Sequence, residues 1–183
     1  MVEIRWHGRG GQGAVTSAEI LAKAAILEDK YAQAFPSFGP ERRGAPVLAF
    51  DRIDRYKPIR LRTGIEEPDA VVILDPGLIS IVNVTSGLKE DGQIIINTKR
   101  SLEDISSEFD SKWGLAVVDA TGIAKEVLGV NIVNTTMLGA LIKMTGIVKL
   151  ESVHEPLKER FGRLAERNIN SMTKAYEEIT IKR

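Results

Sequence analysis

The chain has 183 residues, of which 43% are hydrophobic, 27% charged and 5% aromatic, a composition close to that of an average globular protein. Twenty-five basic residues balance 25 acidic ones, so the net charge of zero gives no overall field that would recruit nucleic acid or an anionic membrane. Cysteine is absent from the sequence, which excludes a disulfide, a cysteine nucleophile and thiolate-bound zinc or iron–sulfur clusters from this chain.

Apolar runs and helical spacings alternate along the sequence, with no tandem repeat or long linker. In the first half they predict, in chain order, a strand at 2–7, a helix at 14–27, a strand at 31–35, a loop at 36–46 and an antiparallel hairpin of 47–50 with 59–61. In the second half they predict strands at 71–74, 94–96 and 115–118 and helices at 78–86, 123–128, 135–144 and 157–179, the last bent or split at Gly162.

Strands that are apolar on both faces and alternate with helices are typical of a parallel sheet covered on each side. We therefore expect a single α/β domain over residues 1–183: a doubly wound, Rossmann-like, mostly parallel sheet with helices on both faces, one antiparallel hairpin and C-terminal helices. Apolar runs stay far below the ~20 residues of a membrane span, and the early glycine cluster leaves no room for a signal peptide. A cytoplasmic protein without membrane or nucleic-acid partners is expected.

A glycine segment between the first predicted strand and helix fits the pattern GxGxxG; it reads Gly8, Arg9, Gly10, Gly11, Gln12 and Gly13. Glycines allow a tight turn and a close approach of backbone amides, and the positive end of the following helix favours an anion. The segment therefore predicts contact with a phosphate; the alternative is that the glycines only allow the strand and helix to pack closely. A standard NAD site also needs a carboxylate at the tip of the second strand, and 35–37 offers none.

The proline-flanked loop 37–45 is the second candidate site, because Arg42 and Arg43 are adjacent there. If the first two strands are neighbours, this loop emerges at the same sheet edge as the glycine segment. Guanidinium groups can clamp a phosphate or a partner's carboxylate. From composition alone, an exposed charged turn in which Glu41 pairs with one arginine is the simpler interpretation.

Other polar residues have simpler explanations than catalysis. Asp75 and Asp119 follow buried strands and are expected to cap the turns or helices after them, although both could also face a cleft at the carboxyl edge. Asn134 is interpreted as a helix cap. His7 beside the glycine segment is expected to be structural, and His154 to lie at the surface. We assign no catalytic residue and no metal ligand.

Several ordered segments together resemble one known family. They are His7 to Gly13 (HGRGGQG), Gln33 to Pro36, Gly39 to Arg42, Gly44 to Pro46, Pro68 to Val72, Val118 to Thr121 and Asn134 to Ala140. Over nearly the whole chain they resemble the gamma subunit of 2-oxoacid:ferredoxin oxidoreductases, and the resemblance is nearest to the pyruvate synthase group.

The resemblance implies a complex with alpha, beta and delta type subunits that converts a 2-oxoacid, coenzyme A and oxidised ferredoxin into acyl-coenzyme A, carbon dioxide and reduced ferredoxin. It implies that thiamine diphosphate, magnesium and iron–sulfur clusters belong to partner chains, since this chain lacks cysteine and a GDG segment followed by an asparagine for thiamine diphosphate. For this chain it implies a non-catalytic role that shapes the complex, with coenzyme A phosphates as the expected ligand of the glycine segment, Arg42 and Arg43.

Two other functions are compatible with the sequence. One is a stand-alone nucleotide-binding α/β dehydrogenase, against which the missing ribose-binding carboxylate and the lack of a convincing acid/base pair both weigh. The other is a purely structural interaction module, in which the glycine segment only packs.

Overall fold

A computed structural model describes residues 1–37 and 44–182. The strands in this part of the chain are β1 Val2–Arg9, β2 Tyr31–Pro36, β3 Pro46–Asp54, β4 Ala70–Ile73, β5 Gln93–Asn97, β6 Gly114–Val118 and β7 Thr180–Lys182. The helices are α1 Ala14–Leu27, α2 Leu102–Ser106, α3 Ala120–Leu128, α4 Asn134–Thr145, α5 His154–Phe161 and α6 Ala165–Glu178. Short 3-10 turns cover Pro76–Leu78, Leu150–Val153 and Gly162–Leu164.

The seven strands form one mixed sheet in the order β2-β3-β1-β4-β5-β6-β7. The four central strands, β1, β4, β5 and β6, are parallel to one another. Strand β3 runs antiparallel between β1 and β2, and β7 runs antiparallel to β6. The predicted α/β fold is confirmed, with parallel pairing confined to the centre of the sheet. Because β3 intervenes, β1 and β2 are not neighbours.

Successive side chains of the central strands point to opposite faces of the sheet, so the hydrophobic core has one part on each face. Val72 packs on the face covered by α1, α3, α4, α5 and α6, whereas its neighbour Val71 packs on the face covered by α2 and the 3-10 turn at Pro76–Leu78. Both valines are fully buried, which explains why these strands are continuous apolar runs in the sequence.

None of the helices within 1–37 and 44–182 has the length and apolar character needed to cross a membrane.

Helices α4 and α6 make an unusually close contact. The Thr135 hydroxyl donates to Asn168 Oδ1 at 2.7 Å, and both side chains are buried. One turn further along α4, Gly139 lies against the backbone of α6, where a Cβ atom would overlap the carbonyl oxygen of Met172. The segment Asn134–Ala140 is therefore shaped by helix packing, since small and hydroxyl side chains let two helix backbones approach each other.

Two of the predicted elements are wrong. Segment 59–61 is not a strand, because β3 already has a neighbour on each of its edges, β1 and β2, and leaves no position for a third partner. Segment 78–86 is not an α-helix but a 3-10 turn ending at Leu78 followed by further turns. Short polar side chains bond locally there; Ser80 Oγ, for example, donates to the Gly77 carbonyl at 3.2 Å, which competes with a helix. Helix α2 and strand β7 are additions to the predicted elements.

Buried polar side chains lie on the face of β1 opposite α1. Arg5 Nε donates to His7 Nε2 at 3.1 Å, and its Nη2 donates to the carbonyl oxygens of Val84 and Ser86 at 3.1 and 2.6 Å. Burial and the Arg5 charge lower the pKa of His7 to about 4, so the imidazole is neutral at pH 7 and accepts the Arg5 bond. This arrangement fits the structural role expected of His7.

We expect Gly139→Ala to destabilise the protein even though alanine is the better helix former by about 0.5–1 kcal/mol. The added methyl group must displace α6, and overpacking of this kind costs roughly 1–3 kcal/mol, or about 2–10 °C in Tm for a chain of this size. Gly64→Ala is the matched control, because a Cβ there has nothing within 4 Å. Thermal unfolding checks the prediction, and equal Tm values for the two variants would contradict the close contact of α4 with α6.

Candidate functional site

The carboxyl ends of the parallel strands gather several polar residues at one edge of the sheet, where open α/β sheets bind their ligands. The glycine segment, residues 8–13, runs from the end of β1 to the start of α1, as predicted. Asp75 follows β4, Asn97 ends β5 and Asp119 follows β6. The glycine segment and these residues define the candidate site.

An ion pair between Arg9 and Asp75 holds the glycine segment against the end of β4. Arg9 Nε lies 2.8 Å from Asp75 Oδ2, and Arg9 Nη1 donates to the Gly44 carbonyl at 3.2 Å. Gln12 completes the network: its Oε1 accepts the Arg9 amide at 2.7 Å, and its Nε2 donates to Asp75 Oδ2 at 3.2 Å. These bonds fix the orientation of the Arg9 and Gln12 side chains and pair the Arg9 charge with a carboxylate.

The glycines of the segment differ in what surrounds them. A Cβ at Gly8 would lie 3.2 Å from the Leu74 side chain, and a Cβ at Gly13 would lie 2.6 Å from Asn134 Nδ2. Gly13 also has a φ of 81°, in the left-handed region that favours glycine. Gly11 has a φ of 96° but nothing within 4 Å of a Cβ position. Gly8 and Gly13 thus serve close packing, whereas Gly11 faces open space.

Helix α1 begins at this point without a side-chain cap, because its N-cap residue is Gly13. The amides of Gly11, Gly13 and Ala14–Thr16 have no hydrogen-bond partner in the part of the chain that the structure describes. Unpaired amides at a helix N-terminus carry the positive end of the helix dipole. Because the space at Gly11 is open, these amides can donate hydrogen bonds to an anionic oxygen.

The second candidate loop returns to the sheet beside the glycine segment. The Gly10 amide donates to the Ala45 carbonyl at 2.9 Å, and the Gly44 amide donates to the Gly10 carbonyl at 3.2 Å. These bonds continue the ladder of β1 with β3, so the two loops share an edge although β1 and β2 are not neighbours. Arg42 and Arg43 themselves lie outside the described residues.

Asn134 is a residue of this site that sequence reasoning misassigned. The interpretation of Asn134 as a cap is wrong: the N-cap of α4 is Val133, and no side chain caps that helix. Instead, the side-chain amide of Asn134 lies against Gly13, and the backbone carbonyl of Asn134 accepts a hydrogen bond from the Ser17 hydroxyl at 3.1 Å. The signal was present in the ordered segment Asn134–Ala140, but only the packing of α1 beside α4 brings Asn134 to the glycine segment.

The two aspartates at the strand ends have different roles. Asp119 caps α3, since its Oδ1 accepts the Gly122 amide at 2.8 Å. Asp75 both caps the following 3-10 turn, through the Gly77 amide at 2.9 Å, and binds Arg9.

Within residues 1–37 and 44–182, no group of three or more His, Asp or Glu side chains is arranged to hold a metal ion.

Among residues 1–37 and 44–182, the geometry does not provide the ribose-binding carboxylate of a NAD site. Glu28 lies at the end of α1, where its side chain binds Lys30 Nζ at 2.7 Å and the Lys149 amide at 2.6 Å. The tip of β2 is separated from β1 by the width of β3, so an acid placed there would lie one strand too far from the glycine segment. Both observations weigh against a dehydrogenase.

We expect Gly13→Ala to cost more stability than Gly11→Ala. Both residues have a positive φ, so both variants carry the strain of a left-handed alanine, about 1–2 kcal/mol. Only Gly13→Ala also collides with Asn134, which adds roughly another 1–3 kcal/mol. Chemical denaturation of the two variants checks the difference. Adding Asn134→Gly to Gly13→Ala should recover part of the loss, and equal losses at both positions would refute the packing role of Gly13.

Comparison with known proteins gives consistent full-length similarities. The family model described as pyruvate ferredoxin/flavodoxin oxidoreductase matches residues 3–178. The Pyruvate/ketoisovalerate oxidoreductases common subunit gamma of Pyrococcus furiosus is 56% identical over 99% of this chain and 98% of its own. The Pyruvate synthase subunit PorC of Methanocaldococcus jannaschii is 53% identical over 98% of this chain and 97% of its own.

A solved structure shows the same likeness in three dimensions. The crystal structure of the pyruvate oxidoreductase subunit PORC of Thermotoga maritima has a TM-score of 0.88 and 39% sequence identity to this chain. The match covers 100% of this chain and 98% of that one. The chain therefore belongs to the pyruvate ferredoxin/flavodoxin oxidoreductase family.

Proposed function

We propose that this chain is the gamma subunit of a cytoplasmic 2-oxoacid:ferredoxin oxidoreductase that acts on pyruvate. The complex converts the 2-oxoacid, coenzyme A and oxidised ferredoxin into acyl-coenzyme A, carbon dioxide and reduced ferredoxin. The observation that carries the proposal is coverage: relatives named as gamma or PorC subunits match this chain almost from end to end. A whole subunit, rather than a shared fragment, is the counterpart of this chain.

The chemistry of the complex is divided among its chains, and this chain is non-catalytic. Thiamine diphosphate, magnesium and iron–sulfur clusters supply decarboxylation and electron transfer, and they belong to the alpha, beta and delta type partners. The sequence supports this division because it has no cysteine for a thiolate-bound cluster and no thiamine diphosphate motif. This chain then contributes binding surfaces.

Coenzyme A is the ligand of the glycine segment in this proposal. The unpaired amides around Gly11 and the start of α1 suit a phosphate oxygen, and the open space at Gly11 lets it approach. The bonds of Gly44 and Ala45 to Gly10 support a shared site for the glycine segment and the loop that carries Arg42 and Arg43. Amides and guanidinium groups together would bind the phosphates by charge-assisted hydrogen bonds.

One relative supports a role that is separate from the choice of 2-oxoacid. The P. furiosus relative is named as a subunit common to pyruvate and ketoisovalerate oxidoreductases. A subunit that serves two substrates does not itself distinguish them, whereas coenzyme A is the same for both. By this reasoning, the partner chains select the 2-oxoacid, and this chain serves the coenzyme A step.

Reconstitution tests the proposal. We expect the purified chain alone to be colourless and to show no turnover with pyruvate, coenzyme A, thiamine diphosphate and ferredoxin. Co-expression with its partner chains should give one complex, isolated by gel filtration, that reduces ferredoxin. Turnover by the isolated chain would contradict the non-catalytic role. Full activity and assembly of the partners in its absence would contradict its role as a subunit.

The coenzyme A contact predicts a selective effect of the loop arginines. Arg42→Ala or Arg43→Ala should raise the KM for coenzyme A by roughly ten- to a hundredfold, since a charge-assisted contact is worth ~1.5–3 kcal/mol. The effect should shrink at high salt, because a partly exposed ion pair is screened. Pyruvate decarboxylation should be spared. Steady-state kinetics with varied coenzyme A measures the effect.

Lys112→Ala is the control, because Lys112 is exposed and precedes β6, at the edge of the sheet opposite to the glycine segment. Gel filtration separates a phosphate contact from an ion pair with a partner chain, since only the latter variant would lose assembly. Normal assembly together with an unchanged coenzyme A KM in the Arg42→Ala/Arg43→Ala double variant would exclude both roles.

A further inference from the structure

An exposed basic segment follows β3, and the proposed coenzyme A site does not use it. We call it the 55–62 strip; its cations are Arg55, Lys57, Arg60 and Arg62, and its apolar residues are Tyr56, Pro58, Ile59 and Leu61. It contains no carboxylate. Residues 55–57 form bends, residues 58–62 have no regular secondary structure, and every residue of the strip except Ile59 is exposed. Four cations within eight residues create a local positive potential, although the whole chain is neutral.

Hydrogen bonds to side chains of β3 hold the chain at the start of the strip and just beyond its end. At its start, Asp54 Oδ1 accepts the amides of Tyr56 and Lys57 at 2.8 and 2.9 Å. Beyond its end, Arg52 Nη2 donates to the Gly64 carbonyl at 3.1 Å. The Arg52 side chain is itself buried. A segment held in this way loses less conformational entropy when it binds than a free loop would.

The cations of the strip have no acidic partners. Elsewhere on the surface, lysines pair with carboxylates, as Lys23 does with Glu159 at 2.8 Å and Lys89 with Asp69 at 2.7 Å. Among residues 1–37 and 44–182, no carboxylate lies within ion-pair distance of Arg55, Lys57, Arg60 or Arg62. These four charges are available to an external acidic surface.

Large apolar side chains surround the cations. Tyr56 is 78% exposed and Leu61 48% exposed. Tyr56 also lines a cleft of about 780 Å³ together with Leu27, which is 58% exposed at the end of α1. Exposed apolar groups clustered in this way mark protein interaction sites, and tyrosine and arginine are the residue types that contribute most to protein interfaces.

From these observations we infer that the 55–62 strip and the adjoining cleft dock an acidic surface of another protein subunit. Carboxylates of that subunit meet the four cations, and apolar groups cover Tyr56, Leu61 and Leu27. The inference rests on the proposed function, because the docked subunit is a partner chain of the same oxidoreductase. A protein is favoured over nucleic acid because Leu27 and Leu61 are aliphatic, which leaves Tyr56 as the one ring among these exposed side chains on which a base could stack.

The docking surface and the glycine segment lie at opposite ends of β3. Residue Pro46 at the start of β3 pairs with Arg9, and the strip begins after Asp54, nine strand residues later. At about 3.4 Å per residue, the start of the strip lies roughly 25–30 Å from Pro46, while Arg60 and Arg62 lie beside Gln33 of β2, which pairs with Arg52. Docking therefore leaves the coenzyme A site open, and changes in the strip should affect assembly without changing the coenzyme A KM.

Charge reversal tests the docking surface in the co-expressed complex. We expect Arg60→Glu/Arg62→Glu to weaken association with the partner chains by more than about a hundredfold, because like charges then face each other. Lys125→Glu/Arg167→Glu, an equal charge change at exposed positions of α3 and α6, should assemble normally. Circular dichroism of each free variant should match that of the wild-type chain. Assembly of the Arg60→Glu/Arg62→Glu variant, or equal loss in both variants, would overturn the inference.

A carbodiimide cross-link tests the contact directly, because this reagent joins an amine to a carboxylate that lies beside it. In the assembled complex, Lys57 Nζ should couple to an Asp or Glu of a partner chain, identified by mass spectrometry. Lys57→Arg keeps the charge and should assemble, but it should lose this cross-link. Absence of any Lys57 cross-link from the wild-type complex would contradict docking at the strip.

Three further outcomes separate the inference from its alternatives. If the free chain binds a labelled 20-nucleotide single-stranded DNA and Arg60→Glu/Arg62→Glu abolishes that binding, the strip is a nucleic-acid site and the inference is wrong. If the wild-type chain fails to assemble with the partner chains, the proposed function and the docking surface both fail. If the wild-type and charge-reversed chains both assemble, only the docking surface fails.

Discussion

The antiparallel ladder between β1 and β3 determines the positions of both proposed binding surfaces. It pairs Val2 with Ile53 at one end and Arg9 with Pro46 at the other, so β3 occupies the place beside β1 that β2 would take in a standard dinucleotide-binding sheet. The ladder brings Gly44 to Gly10 at one edge and sends the 55–62 strip out at the opposite edge. Because β3 lies between β1 and β2, the tip of β2 is not beside the glycine segment as it would be in a NAD site. The same strand separates the proposed ligand site from the proposed docking surface.

The glycine segment combines a packing role with the proposed binding role in six residues. Gly8 and Gly13 are required by their neighbours Leu74 and Asn134, whereas Gly11 is the one that faces open space. The ion pair of Arg9 with Asp75 holds the segment in place, at the cost of using the charge that the sequence offers to a ligand. In the proposed coenzyme A site, backbone amides are therefore the main binding groups of the segment, and the adjacent loop supplies further positive charge.

Much of the fold could be predicted from the sequence, because local pattern and burial agree there. The central strands are buried on both faces, so they are continuous apolar runs, and α1 follows its helical spacing. The sequence could not predict that β3 pairs on both edges, since pairing between distant strands leaves no local signal, and 59–61 was therefore misassigned. The sequence predicts a candidate site at the glycine segment, which stays a prediction; Asn134 was misassigned because only the packing of α1 with α4 brings it there.

Hydrogen–deuterium exchange of the assembled complex, with and without saturating coenzyme A, tests the central claim most directly. The claim is that this chain enters the oxidoreductase as a subunit and binds coenzyme A through the amides of Gly11, Gly13 and Ala14–Thr16. Peptides that cover these residues should exchange more slowly when coenzyme A is present, because a bound phosphate accepts their hydrogen bonds. Unchanged exchange over residues 11–16, with coenzyme A protecting only partner chains, would contradict the claim.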